Sequence, residues 1–165
     1  MKKLLHIIAT PREDESRTMK VSGAFLGTLA KKYPGCKIDE LNLFKEKLPE
    51  LTAKSVNGKY ILLGGKDLPE EFQASWQGLV NCITRFLSQD AYLITAPMWN
   101  FSIPYVLKHY IDIIIQPKYL FQYTAQGPEG LVKNKKMAVI TSRGGDYSLK
   151  SPYQAYDFQE NYLRT

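Results

Sequence analysis

The 165-residue chain reads as a doubly wound α/β protein, a parallel sheet with helices on both faces. Three observations predict it. Apolar runs of strand length stand at residues 4–9, 91–96 and 137–140 without polar alternation, as expected of strands covered on both sides. Between them lie segments whose apolar residues recur every three or four positions, the helical period. Hydroxyl, Pro and Gly residues gather just after the strand-like runs, where an open parallel sheet carries its ligand loops.

Each element has its own signal. Leu4-Leu5-His6-Ile7-Ile8-Ala9 makes the first strand; from Ser16, the spacing of Phe25, Leu26, Leu29, Ala30 and Tyr33 sets a helix that Pro34-Gly35 stops. Residues 37–43 alternate, with Ile38, Leu41 and Leu43 apolar, which suits a short second strand near an edge. Residues 44–67, interrupted by Pro49, Gly58 and Gly64-Gly65, leave 60–63 open between helix and strand. Phe72, Trp76, Leu79, Val80, Ile83, Phe86 and Leu87 form a helical stripe led by Pro69-Glu70-Glu71, acidic residues suited to a first turn. Residues 91–96 are the third strand. Ser102 is expected to cap the next helix, with Pro104 in its first turn and Ile103, Val106, Leu107, Tyr110, Ile111 and Ile114 on its apolar side. Residues 119–123 and 130–132, around Gln126-Gly127-Pro128, are expected to pair as a hairpin outside the sheet that walls a pocket. Residues 137–140 form the fourth parallel strand, and a helix over 155–163 runs to the end of the sequence. The expected fold therefore lacks a last strand and helix.

Composition limits the function classes. With 44% hydrophobic and 23% charged residues, one domain over residues 1–165 with a substantial core is expected. No apolar stretch approaches the roughly 20 residues that cross a bilayer. Met1-Lys2-Lys3 leads straight into a strand, so neither a signal peptide nor membrane attachment is expected, and the cytoplasm is the expected location. Cys36 and Cys82 have no metal-ligand spacing and read as reduced structural thiols. His6, inside an apolar strand, reads as a core or interface histidine and His109 as a structural or exposed one; no metal site is expected. The net charge of +6 favours anionic partners. The charges are dispersed, and Lys31-Lys32 and the lysines at 133, 135 and 136 are read as solvated faces, with no nucleic-acid track.

Three loops carry the chemistry. Thr10-Pro-Arg-Glu-Asp-Glu-Ser16-Arg17-Thr18 joins a strand to a helix N-terminus, where free N–H groups, the helix dipole and three hydroxyls suit a phosphate monoester, although Ser16 serves equally as a simple helix cap. The loop contains no Gly-x-x-x-x-Gly-Lys, no Gly-x-Gly-x-x-Gly and no cysteine, which argues against a triphosphate loop, a dinucleotide fold and a cysteine-dependent phosphatase. Pro97-Met98-Trp99-Asn100-Phe101 offers flat apolar surface beside amide groups, the mixture an isoalloxazine ring requires; a tight connection with aromatics filling core space is the alternative. Ser142-Arg143-Gly144-Gly145 supplies amides and two residues without Cβ where a ligand can come close, or else a flexible turn.

Together, Thr10 with Ser16-Arg17-Thr18, Ala96-Pro-Met-Trp-Asn-Phe-Ser-Ile-Pro104, Gly127-Pro-Glu-Gly-Leu131 and Ile140-Thr-Ser-Arg-Gly-Gly145 resemble the FMN-dependent NADH azoreductase and NAD(P)H quinone reductase family, of flavodoxin-like fold. The resemblance covers nearly the whole chain. It implies that Ser16, Arg17 and Thr18 bind the FMN phosphate, with Thr10 at the position of a family serine. It also implies that Pro97, Met98, Trp99, Asn100 and Phe101, with Ser142, Arg143, Gly144 and Gly145, hold the flavin ring. Phe121 and Tyr123 are candidates for the substrate side. The implied activity is ping-pong hydride transfer through flavin N5, from NADH or NADPH to a quinone or azo compound, with no obligatory catalytic side chain. A homodimer is the implied assembly. Two features depart from the family: Trp99 stands where tyrosine is common, keeping the stacking surface without the hydroxyl, and the family continues past position 165 into a further strand and helix.

Overall fold

The apolar runs predicted as strands lie side by side and run in one direction. The computed structural model describes residues 1–165. In chain order the elements are β1 (Lys3–Ile8), α1 (Arg17–Lys32), β2 (Lys37–Asn42), α2 (Ala53–Leu63), α3 (Glu70–Leu87), β3 (Ala91–Pro97), α4 (Tyr105–Ile114), β4 (Phe121–Thr124), β5 (Gly127–Gly130), β6 (Lys136–Ser142) and α5 (Phe158–Arg164). The main sheet has the order β2-β1-β3-β6, all parallel, with Ile8 opposite Thr95 and Pro97 opposite Ser142 at the strand ends. From β1 the chain steps out to β2, then crosses back to β3 on the other side. The carboxyl ends of β1 and β3 therefore flank a topological switch, the place where open α/β sheets bind ligands.

The chain divides into two compact units. The first (Met1–Glu46, Asp90–Lys108, Lys136–Thr165) contains the whole parallel sheet, α1, α5 and the opening of α4. In it Leu4, Ala91 and Leu93 are buried together, with Leu26, Leu29, Cys36, Ala138 and Ile140 packed against them. Phe25 and Ala30, expected on the buried side of α1, are exposed instead. Thr18, Ser22, Leu26 and Leu29 face inward, because Thr18 and Ser22 bond to Ser142 and Thr95 and so set the rotation of the helix. On the edge strand β2, Ile38 is likewise exposed.

The second unit (Lys47–Gln89, His109–Lys135) settles the stretch that the sequence left open. Residues 60–63 are helical, the end of α2, whose N-cap Thr52 accepts a hydrogen bond from the Ser55 N–H at 3.2 Å. Gly58 makes this helix possible beside α3, since a Cβ there would stand 2.2 Å from Nε1 of the buried Trp76. The stripe on α3 is confirmed, with Trp76, Leu79, Ile83 and Phe86 buried. The hairpin also exists, but β5 starts at Gly127 rather than residue 130, because Gly127 takes a left-handed backbone (φ 114°) directly after a tight turn.

Two helix starts differ from expectation. Ser102 does not cap α4: it pairs with Trp99, and the Pro104 carbonyl accepts from the Leu107 and Lys108 N–H groups instead. The last helix does not begin at residue 155. A single 3-10 turn (Gln154–Tyr156) comes first, and Asp157 then caps α5.

Candidate functional site

All thirteen residues nominated for the cofactor belong to the first unit. At the end of β1, Thr10 is buried; its hydroxyl accepts from the Arg12 N–H at 3.4 Å and donates to Ser16 Oγ at 3.5 Å. Ser16 caps α1 by accepting from the Met19 N–H at 3.3 Å. As acceptor in both bonds, Ser16 keeps its own proton for a ligand. Thr18 is buried and Arg17 exposed. Before them, the Lys45 ammonium hydrogen-bonds Glu13 at 2.5 Å and holds its carboxyl below the ordinary range.

At the end of β3 the chain turns within two residues. Trp99 and Ser102 exchange N–H···O bonds, both of 2.9 Å, so that Asn100 (φ 46°) and Phe101 (φ 70°) occupy the left-handed region. Paired positive φ values are the signature of a type I′ turn, which prefers Asn-Gly. Phe101 at the second position is strained, at a cost of about 1–2 kcal/mol. The turn's own bonds use Trp99 and Ser102, leaving the Asn100 and Phe101 N–H groups outside them. Trp99 is flanked by Phe44 and Tyr105, with ring centroids 5.8 and 6.5 Å away. Phe101 lies 5.6 Å from Tyr156 and 6.4 Å from Tyr147.

The third corner joins the other two. Ser142 Oγ lies 2.6 Å from Thr18 Oγ1, and the Ser142 carbonyl accepts from the Met98 N–H at 2.7 Å. Around a Cβ at Gly144 the space is open, and one at Gly145 would meet only Tyr147 at 3.4 Å. Neither glycine is required by a left-handed backbone. Arg143 does not extend as a free cation: it pairs with Asp157 and, at 3.3 Å, with Glu160, and its guanidinium lies 5.8 Å from the Tyr147 ring. Arg164 and Arg143 together hold the Glu160 carboxyl below its ordinary range through hydrogen bonds.

Beneath these corners runs a buried polar chain that sequence reasoning missed. Ser22 Oγ donates to Thr18 O at 3.1 Å and lies 2.6 Å from Thr95 Oγ1, which is 2.8 Å from His6 Nε2. Proton counting orders it. Ser22 spends its single proton on Thr18 O, so Thr95 donates to Ser22, and His6 must donate from Nε2. His6 Nδ1 is then a bare lone pair, and it has no partner. Burial pushes the imidazole below its ordinary 6.5, against a smaller opposing effect of Glu40. His109, in the second unit, has Nε2 3.1 Å from the Pro49 carbonyl and serves the structure there.

Other expected or missed residues have definite places. Phe121 and Tyr123 pack edge to face at 5.7 Å on the hairpin of the second unit. Phe44, Tyr105, Asp157 and Gln159 were not nominated. For Asp157 a signal existed, since an acid three residues before Glu160 at a helix start is a capping pattern. In the first unit, a cavity of about 580 Å³ is lined by residues 147–150, Gln154, Asp157, Glu160 and Asn161, and includes none of the nominated residues. A second, of about 540 Å³, borders Arg143 alone among them.

Against known proteins, a family model described as flavodoxin-like fold matches residues 2–165. The chain belongs to the flavodoxin-like family. Within it, an FMN-dependent NADH:quinone oxidoreductase of Desulfotalea psychrophila is 38% identical, over 99% of this chain and 77% of the relative. The crystal structure of an azoreductase from Bacillus anthracis superposes with a TM-score of 0.87 at 33% identity, covering 99% of this chain and 79% of that one. A B. anthracis FMN-dependent NADH-azoreductase solved in complex with FMN gives a TM-score of 0.84 at 29% identity, with coverage of 99% and 79%. The flavodoxin-like parallel fold and the family resemblance read from the loops are both borne out. No helix is long and apolar enough to cross a membrane.

Proposed function

We propose that this chain, acting over residues 1–165 as one FMN-binding domain, is an oxidoreductase that takes electrons from NADH or NADPH and passes them to a quinone or azo compound. The observation carrying this reading is the junction at Ser142, whose hydroxyl meets Thr18 and whose carbonyl meets Met98, so that three strand-end loops share one place. The residues present fit FMN. Thr10, Ser16 and Thr18 set buried hydroxyls at the N-terminus of α1, where a phosphate is stabilised by free N–H groups and the helix dipole. Arg17 adds a cation at the rim. At the ring end, Pro97, Met98 and Trp99 offer an apolar surface, Asn100 and Phe101 contribute N–H groups held outside their turn, and Gly144 leaves open space for close approach.

Bound FMN would supply hydride acceptance at N5 and return of the electrons to an acceptor. The protein's part is to orient, to stack and to exclude water, and no side chain is assigned as nucleophile or proton donor. A single flavin site visited in turn by nicotinamide and acceptor would give ping-pong kinetics and tolerate a broad range of flat substrates. Phe121 and Tyr123 are proposed on the substrate side, and a homodimer as the working assembly.

The test is reconstitution with FMN followed by anaerobic addition of NADH or NADPH. Prompt bleaching of the visible flavin band is expected. Flavin that binds but stays yellow would instead indicate an electron carrier, and failure to bind would remove the proposal.

A further inference from the structure

We infer that the first turn of α5 is a clamp that positions both ring-side loops, with Asp157 and Gln159 as its positioning residues. The inference rests on the functional reading above for its purpose, though not for its geometry. Gln159 is fully buried, and its Nε2 donates to the Ala96 carbonyl at 3.2 Å, at the end of β3 where the Pro97–Phe101 loop departs. One residue earlier, the Phe158 N–H donates to the Phe101 carbonyl at 3.0 Å, on the far side of the strained turn. The loop is thus held at both of its ends by adjacent residues of one helix.

Asp157 extends the clamp to the other loop. It is 5% exposed; Oδ1 accepts from the Glu160 N–H at 2.9 Å as the helix cap, while Oδ2 receives Arg143, the residue between Ser142 and Gly144. Glu160 receives the second arm of Arg143. A charge-assisted bond to a buried carboxylate fixes an arginine far better than an exposed pair does. Because Ser142 itself is bonded to Met98, fixing Arg143 from one side and Ala96 and Phe101 from the other leaves the two loops few independent motions.

The chemistry of Gln159 argues against a packing role alone. Its Oε1 is buried without a hydrogen-bond partner, so an apolar side chain of the same length would fill the space with less penalty. What the amide adds is the bond to Ala96. Preorganised loops matter at a site that must hold a flat ring in one orientation for two successive ligands.

Three variants of the full chain, Asp157→Ala, Asp157→Asn and Gln159→Met, test this. In the FMN-free protein, amide exchange over residues 97–102 and 142–145 should quicken about tenfold in Asp157→Ala and Gln159→Met, while residues 17–32 stay at the wild-type rate. Asp157→Asn keeps a cap acceptor but loses the charge, so it should quicken 142–145 more than 97–102. FMN affinity, read by flavin fluorescence, should fall about tenfold with a changed visible circular dichroism of the bound flavin, the signature of an altered ring setting. Wild-type exchange in both loops for Gln159→Met and Asp157→Asn would overturn the clamp. These two variants decide the matter even if Asp157→Ala does not fold. Should the wild type take up no FMN, the functional proposal fails, and exchange in the FMN-free chain still decides the clamp.

Discussion

His6 and Asn100 are the two residues where local chemistry makes the sharpest demands. His6 is 1% exposed and its Nδ1 faces no acceptor, so protonation would bury both a charge and an unpaired donor. Its folded pKa is lowered. The unfolded chain therefore takes up a proton first as pH falls through 6.5, and stability that is complete above that value declines below it until the folded imidazole also titrates. The melting temperature followed from about pH 8 to pH 5 should show this step, well above the carboxylate range, and His6→Gln should flatten it. A wild-type profile without the step would show that burial does not hold the His6 imidazole below its ordinary value. At Asn100, glycine keeps the left-handed backbone accessible while deleting the amide. If that amide faces the ring, Asn100→Gly should weaken FMN binding roughly tenfold at unchanged thermal stability, by loss of one good hydrogen bond. Asn100→Leu should cost more, because it adds backbone strain of about 1–2 kcal/mol. Equal affinity in Asn100→Gly would show that only the backbone of this residue matters. The identities of these residues were legible in the sequence. The tautomer of His6 was not, since it is set by Thr95 and Ser22, distant along the chain, and neither was the φ of Asn100, which the mutual bonds of Trp99 and Ser102 set.

Among the elements, two helices make opposite use of glycine. In α2, Gly58 lies against the indole of Trp76, and a methyl group there would overlap Nε1 at 2.2 Å. In α1, nothing lies within 4 Å of a Cβ at Gly23 or Gly27. Alanine improves helix propensity by about 1 kcal/mol in either place, but at Gly58 overpacking of about 1–3 kcal/mol opposes it. Gly58→Ala should therefore lower the denaturation midpoint, and Gly23→Ala should raise it by an amount worth about 0.5–1 kcal/mol. Chemical denaturation with unchanged m-values checks both, and a stabilised Gly58→Ala would mean that Trp76 repacks freely. The period of α3 could be read directly because its buried residues are all large and apolar. α1 misled at Phe25 because two of its inward positions are hydroxyls that read as polar surface. α2 was masked by its glycine, a helix breaker by propensity that the indole of α3 requires.

For the whole molecule, the net charge of +6 should draw in a phosphorylated cofactor before any specific contact forms. Screening shortens from about 10 Å at 0.1 M salt to about 3 Å at 1 M. The FMN association rate in stopped flow should fall severalfold over that range with little change in dissociation, and a salt-independent association rate would remove the steering argument. The parallel fold, the three strand-end loops and the family followed from the sequence by itself, because continuous apolar runs, helical periods and short polar motifs are local patterns that do not depend on what they pack against. The meeting of Thr18, Ser142 and Met98 at one point, the engagement of Arg143 by Asp157, and the rotation of α1 were decided only by the tertiary structure. Each joins residues on separate elements, and hydrogen bonds across such gaps form only after the strands have taken their order and register.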